Sequence, residues 1–135
     1  MSIKVIEGVF ALHERLRGDV ATVLEELGLT SSVADALWAV DPNEPPPSRR
    51  ALARRLHCDP SNVTFLADRL EQHGLIERIS DNDDRRVKAL KLTRAGVEAR
   101  AKFATALLEA LGSYGFTEQD QRQLAKLLSI AVDER

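Results

Sequence analysis

Apolar side chains near the start of the chain recur at Ile6, Val9, Leu16, Val20, Val23 and Leu27, with His13 in the place the series skips. Steps of three and four put all seven on one seam of a long amphipathic helix, with Gly28 as its C-cap. In "LTSSVADALWAVDP", Thr30 or Ser31 caps a short helix carrying Val33, Leu37 and Trp38, and Pro42 stops it. The prolines of "NEPPPS" fix φ and exclude helix before them, so this stretch is a stiff extended connector. Ser48 then caps a helix to Leu56, with Leu52, Ala53 and Leu56 inward and Arg49, Arg50, Arg54 and Arg55 outward. "HCD" breaks it. Asp59 as cap and Pro60 at the first helical position open the next helix, which buries Val63, Leu66, Ala67 and Leu70 and ends at Gly74. Two helices about a short turn predict a helix-turn-helix.

Beyond Gly74 the period changes to two. "LIERIS" and "VKALKL" are rich in Ile, Leu and Val, with Leu90 and Leu92 alternating against Ala89 and Lys91, which predicts a hairpin with Ser80 to Arg86 at its tip. A two-stranded ribbon is marginal alone, so it must lie against the helices. Thr93 caps a long helix through Val97, Phe103, Leu107 and Leu111, interrupted at "GSYG". A last helix starts near Thr117 and Asp120, an approximate capping box, and is expected to bury Leu124, Leu127, Leu128 and Ala131. The predicted fold class is mainly α with a small β-hairpin wing: a winged helix-turn-helix over residues 45–93, between helical parts at 1–42 and 94–135 of a single domain.

Composition sharpens this picture in two places. The net charge is -2, yet Ser48 to Lys102 holds thirteen Arg and Lys against eight Asp and Glu, leaving that block at +5 and the remainder at -7. A basic middle between acidic ends suits a nucleic-acid-binding block on a repelling body. The single cysteine, Cys58, excludes an internal disulfide, and nothing resembles a membrane span or secretory signal, so a cytoplasmic protein is expected. No nucleophile with a base, no phosphate-cradling glycine loop and no paired carboxylates outside turns and helix surfaces are visible, so no enzyme activity and no cofactor are expected.

In a winged helix the second helix lies in the DNA major groove while the wing reaches a minor groove or the backbone. At 100° per residue, the face opposite Val63, Leu66, Ala67 and Leu70 shows Ser61, Phe65, Asp68 and Gln72, with Asn62, Thr64 and Arg69 on the flanks. Ser61, Asn62 and Thr64 suit base edges, and Arg69 suits guanine or phosphate. Phe65 either touches a thymine methyl or packs on the preceding helix. Ser48 and Arg49, at the start of that helix, and Lys88 of the wing complete the expected DNA-facing set. At the wing tip "SDNDDRR", Arg85 suits phosphate and Arg86 the minor groove, where negative potential is strongest when the groove narrows. Asp84 braces the tip. Asp68 is an odd charge to aim at phosphates unless it receives a wing arginine and pre-orients it.

These residues carry a family resemblance. Asp68-Arg69-Leu70 on the second helix, Gly74 to Arg78 leading into the wing, Asp84-Arg85-Arg86 at its tip and Leu92-Thr93 with Gly96 occur in the order and spacing of the MarR (multiple-antibiotic-resistance regulator) family of bacterial transcription factors. The match is specific over Ala51 to Gly96; the flanking helices agree in number and order only. The resemblance implies a homodimer with interlocking terminal helices, here placed on Ile6, Val9, Leu124, Leu127 and Leu128, that straddles a pseudo-palindromic operator in double-stranded DNA, generally as a repressor. It also implies Arg86 as the minor-groove arginine and Asp68 as its salt-bridge partner. Phe65 departs from the pattern, since relatives often carry a polar or basic residue there.

The resemblance further implies a small aromatic or phenolic effector between the dimer helices and the winged helix, for which His13, Arg15 and Trp38 are the candidates. A lone histidine on an apolar face is more often a hydrogen-bonded core residue, and a tryptophan more often packing. Cys58, with Arg54, Arg55 and His57 close in sequence, opens a second reading as a redox-sensing regulator. No metal is expected, because His13, His57, His73 and one cysteine lack ligand spacing. A third reading is a winged helix used as a protein-interaction module, which the basic block and wing arginines argue against.

Overall fold

Helix α1 (Ile3–Leu27) is followed by α2 (Ser31–Ala39), α3 (Arg49–Leu56), α4 (Pro60–Gln72), strands β1 (Ile76–Ser80) and β2 (Lys88–Leu92), α5 (Arg94–Gly112) and α6 (Glu118–Val132). This is a computed structural model that describes residues 2–80 and 88–132. The architecture is the expected winged helix-turn-helix between long helices. Among the described residues no helix is long and apolar enough to cross a membrane.

The elements begin and end where the local chemistry places them. Thr30, rather than Ser31, caps α2 by accepting from the Val33 amide at 3.3 Å, and Ser48 caps α3 by accepting from Ala51 at 3.1 Å. His57 closes α3 in the left-handed region at φ 54°, the only described non-glycine residue with positive φ. Asp59 stands before Pro60 at the start of α4, but its side chain makes no capping hydrogen bond; the fixed φ of Pro60 carries that start. Thr117 and Asp120 form a reciprocal capping box, both bonds at 3.0 Å.

The main core joins α2, α3, α4, the ribbon and the start of α5. Leu37, Val63, Leu52 and Leu70 are fully buried in it. A smaller cluster of Val20, Leu24, Ala34 and Phe103 joins α1, α2 and α5. Helix α2 is therefore shared: Val33 and Leu37 face the winged helix, and Ala34 faces the long helices.

β1 and β2 pair antiparallel, with Ile76 opposite Leu92 and Arg78 opposite Leu90. Ala89 is buried along with Leu90 and Leu92, against the two-residue alternation, because the connector before α3 adds a short third edge. Ser48 bridges Ala89, and the Leu90 amide donates to the Pro47 carbonyl at 2.8 Å. The proline connector thus pins the wing base to the first helix of the helix-turn-helix.

The last helix differs from expectation, and the first half of α1 also leaves its apolar residues uncovered. No residue of α6 is buried within this chain: Leu124 is half-buried, and Leu127 and Leu128 are 55% and 48% exposed. In the first half of α1, Ile3, Val5, Ile6, Val9 and Phe10 are all exposed; its seam packs inward only from Leu16 onward, most deeply at Val20 and Leu24. Periodicity reports that a helix has an apolar face, and is silent about what covers it.

Candidate nucleic-acid interface

A cleft of about 580 Å³ opens where α3, α4 and the ribbon meet, lined by Ser48, Arg49, Arg50, Thr64, Ala67, Arg78, Lys88 and Leu90. Four of these side chains are cationic and none is anionic. α3 contributes Arg49 and Arg50 from its first turn, immediately after the Ser48 cap. The Arg49 guanidinium donates to the Thr64 hydroxyl at 2.9 Å, tying the cleft to α4, and that hydroxyl donates back to the Pro60 carbonyl at 3.2 Å. From the other wall, Lys88 Nζ donates to Ser80 Oγ at 3.2 Å across the ribbon.

Arg78 enters this cleft because strand periodicity sends it there. It shares a face with Ile76, two positions earlier, which is buried against the core. Its guanidinium pairs with the Asp68 carboxylate of α4. Arg86, the expected partner of Asp68, lies outside the described residues, as do Asp84 and Arg85. Asp68 thus holds an arginine of the ribbon's body. Sequence reasoning left Arg50 and Arg78 out of the DNA-facing set. The parity of Arg78 with Ile76, opposite an aspartate on α4, was the available signal.

The remaining sequence candidates divide into two groups. Ser48, Arg49, Thr64 and Lys88 line the cleft. Ser61, Asn62, Phe65 and Arg69 stand exposed on the outer face of α4, where a groove-bound helix meets base edges. Phe65 does not pack away under α3: its ring is 52% exposed, with the Arg69 guanidinium 4.9 Å above its centroid. Ser48 already spends its hydroxyl on the Ala51 amide, so its first role is architectural. Ser48→Ala is expected to cost about 1 kcal/mol of stability, read as a lowered urea midpoint at unchanged slope.

The three candidate effector residues do not converge. His13 borders a small cleft of about 120 Å³ with Leu16, Arg17, Val20, Ser31, Asp35, Phe103 and others of α1 and α5. Partial burial raises the Asp35 carboxyl above the ordinary carboxylate range, while Arg17 and His13 pull it the other way. Arg15, two positions from His13 and so on another side of α1, lies 4.0 Å over the Tyr114 ring, whose hydroxyl donates to Asp19 at 2.6 Å. Trp38 packs edge-on against Phe103 at 6.3 Å, and Arg100 both covers its ring at 4.4 Å and donates twice to its carbonyl. Trp38 is therefore a joint between α2 and α5.

Cys58 is half-buried against the main core at the turn between α3 and α4, on the rim of a shallow hollow with Arg50, Arg54, His57 and Asp59. Among the described residues no group of His, Cys, Asp and Glu side chains is arranged to hold a metal ion.

Known proteins share this arrangement. A profile of the MarR family matches residues 29–88, which run from the start of α2 into the wing. The HTH-type transcriptional repressor MdtR of Bacillus subtilis (strain 168) is 34% identical over 86 residues, 64% of this chain and 55% of that protein. A putative transcriptional regulatory protein for the hcr operon of Thauera aromatica is 32% identical over 108 residues, 75% of this chain and 64% of that protein. The chain therefore spans between about half and two-thirds of the length of these relatives. Among solved structures, CouR from Rhodococcus jostii RHA1 bound to p-coumaroyl-CoA superposes with a TM-score of 0.79 at 28% identity, over 92% of this chain and 89% of that one. With the profile match centred on the helix-turn-helix and the fold similarity extending through the long helices, the chain is similar to the MarR family over residues 29–88 and shares the winged-helix fold along most of its length.

Proposed function

We propose that this protein is a sequence-specific DNA-binding transcriptional regulator, acting as a repressor from a homodimer seated on a pseudo-palindromic operator. The observation that carries the reading is the cationic cleft between α3, α4 and the ribbon, beside a recognition helix whose outer face presents Ser61, Asn62, Phe65 and Arg69. Arg49, Arg50, Arg78 and Lys88 neutralise backbone phosphates, which sets register on the duplex, and the outer face of α4 reads bases. Arg86 at the wing tip supplies the minor-groove contact and Arg85 a phosphate contact. Asp68 costs some attraction to DNA, offset by holding Arg78 in place.

The exposed apolar faces of α1 and α6 support the dimer. The reading also places the protein in the cytoplasm, where its operator is. As a second element we infer release by a small aromatic acid or thioester, favoured by the His13–Arg17–Asp35 cleft against Phe103 and by the p-coumaroyl-CoA bound to CouR. A single chain encloses about 120 Å³ there, below the roughly 300 Å³ of ordinary ligand pockets, so the site we infer is completed by the partner protomer.

The test is binding to an operator selected from random DNA, followed by fluorescence anisotropy over a salt series. Affinity is expected to fall steeply and log-linearly with salt as neutralised phosphates release counterions; a salt-insensitive or absent signal would favour a protein-interaction module. Arg86→Ala should weaken binding about tenfold or more with the melting curve unchanged. Asp68→Ala should also weaken it, although it removes a negative charge. A gain in affinity would make Asp68 a merely repelling group.

A further inference from the structure

We propose that Phe65 and Arg69 form one stacked reading unit for a thymine beside a guanine, the ring covering the thymine methyl while the guanidinium pairs with the guanine edge. This rests on the DNA-binding reading above and adds which bases the helix reads.

The two side chains stand one turn apart on α4, and Arg69 Cζ lies 4.9 Å from the Phe65 centroid, within cation–π range. A guanidinium has two distinct binding surfaces. With its flat face laid on the ring, its N–H edges stay available to a base, so stacking and hydrogen bonding need not compete. Among the described residues no carboxylate pairs with Arg69, in contrast to Arg55 with Glu44, Arg78 with Asp68 and Arg94 with Glu98.

The ring, for its part, keeps half its surface in water on a face it shares with Ser61, Gln72 and Asp68, whose carboxylate is taken by Arg78. The one apolar group a base pair offers in the major groove is the thymine C5-methyl, and guanine offers two acceptors, O6 and N7, to an arginine fork. Folding Arg69 back over Phe65 brings the two reading groups to 4.9 Å, on the scale of the roughly 3.4 Å step between stacked bases. Neighbouring bases then fall within one unit's reach, and the ring holds the fork in the plane it needs.

The experiment uses the full chain and its selected operator. Each thymine of a half-site is replaced in turn by deoxyuridine, which removes only the methyl, and each guanine by 7-deazaguanine, which removes only the N7 acceptor. One thymine is expected to lose about fourfold in affinity on demethylation. An adjacent guanine should lose about tenfold. Phe65→Ala should erase the thymine effect and shrink the guanine effect several-fold, because the fork loses its support. Phe65→Leu should keep the thymine effect and weaken only the guanine effect. Arg69→Ala should erase the guanine effect alone.

A half-site with no such adjacent pair would overturn the proposal, as would Phe65→Ala retaining the full guanine effect. Salt-dependent binding without either base effect removes the stacked unit and leaves the regulator reading standing. Loss of all DNA binding by the unaltered protein removes both.

Discussion

Gly96→Ala is expected to lower the melting temperature by roughly 10 °C, a loss of about 3 kcal/mol, although alanine is the better helix former. A methyl built on Gly96 would sit 1.9 Å from the Leu75 carbonyl oxygen and 2.9 Å from its carbon. Neither side can yield. The Leu75 oxygen accepts from the Thr93 amide at 3.0 Å, and the Leu75 amide donates to Leu70 at 2.9 Å. The Thr93 hydroxyl accepts from the Gly96 amide at 3.0 Å as the cap of α5 and donates to the Gly74 carbonyl at 2.6 Å. The end of α4, the start of β1 and the first turn of α5 are therefore locked together, and a methyl must drive them apart. Gly112→Ala, in the same helix with open space around it, is the control: it should be neutral or slightly stabilising. Equal melting temperatures for the two variants would show that the junction is looser than its contacts imply.

That junction also shows where the sequence stops being legible. The Leu92-Thr93 and Gly96 signature reads as a family mark, but its physical cause is a contact between backbones twenty-one positions apart in sequence, Leu75 against Gly96. No local propensity encodes it. By contrast, the helix-turn-helix was nearly complete in the sequence, because caps, Pro60 and the stripe Val63, Leu66, Ala67 and Leu70 are local signals that agree with one another.

The site was legible unevenly. Exposed polar residues of α4 follow from the helical period, whereas the place of Arg78 needs strand parity together with the docking of β1 on α4. Reading Arg78 only as part of a motif hid its position in the cleft. The effector candidates failed to converge for a related reason: the Arg100 clamp on Trp38 spans sixty-two positions, and nothing in its neighbourhood announces it.

On the proposed dimer, the double substitution Val9→Asp with Leu128→Asp is expected to give a monomer and to weaken binding to the proposed operator by about 100-fold or more. Val9 is 53% exposed and Leu128 48% exposed in the single chain, on helices whose free apolar faces also carry Phe10, Leu127 and Ile130. A symmetric interface repeats every residue, so two substitutions place four carboxylates in apolar surroundings, at a cost of several kcal/mol for each ion left unpaired. The winged helix should survive this, because its core of Leu37, Leu52, Val63 and Leu70 lies apart from both positions.

What remains is one winged helix meeting one half-site. Its contacts with DNA are unchanged, but the second half-site is no longer delivered at high effective concentration. The slope of log affinity against log salt should accordingly fall to about half, since half as many phosphates are neutralised in each binding event. Sedimentation gives the mass, and anisotropy over a salt series gives the slope. A variant that sediments as a dimer would place the subunit contact elsewhere than on α1 and α6. A monomer whose salt slope equals that of the unaltered protein would mean that a single winged helix already makes every phosphate contact, and the two-half-site operator would have to be abandoned.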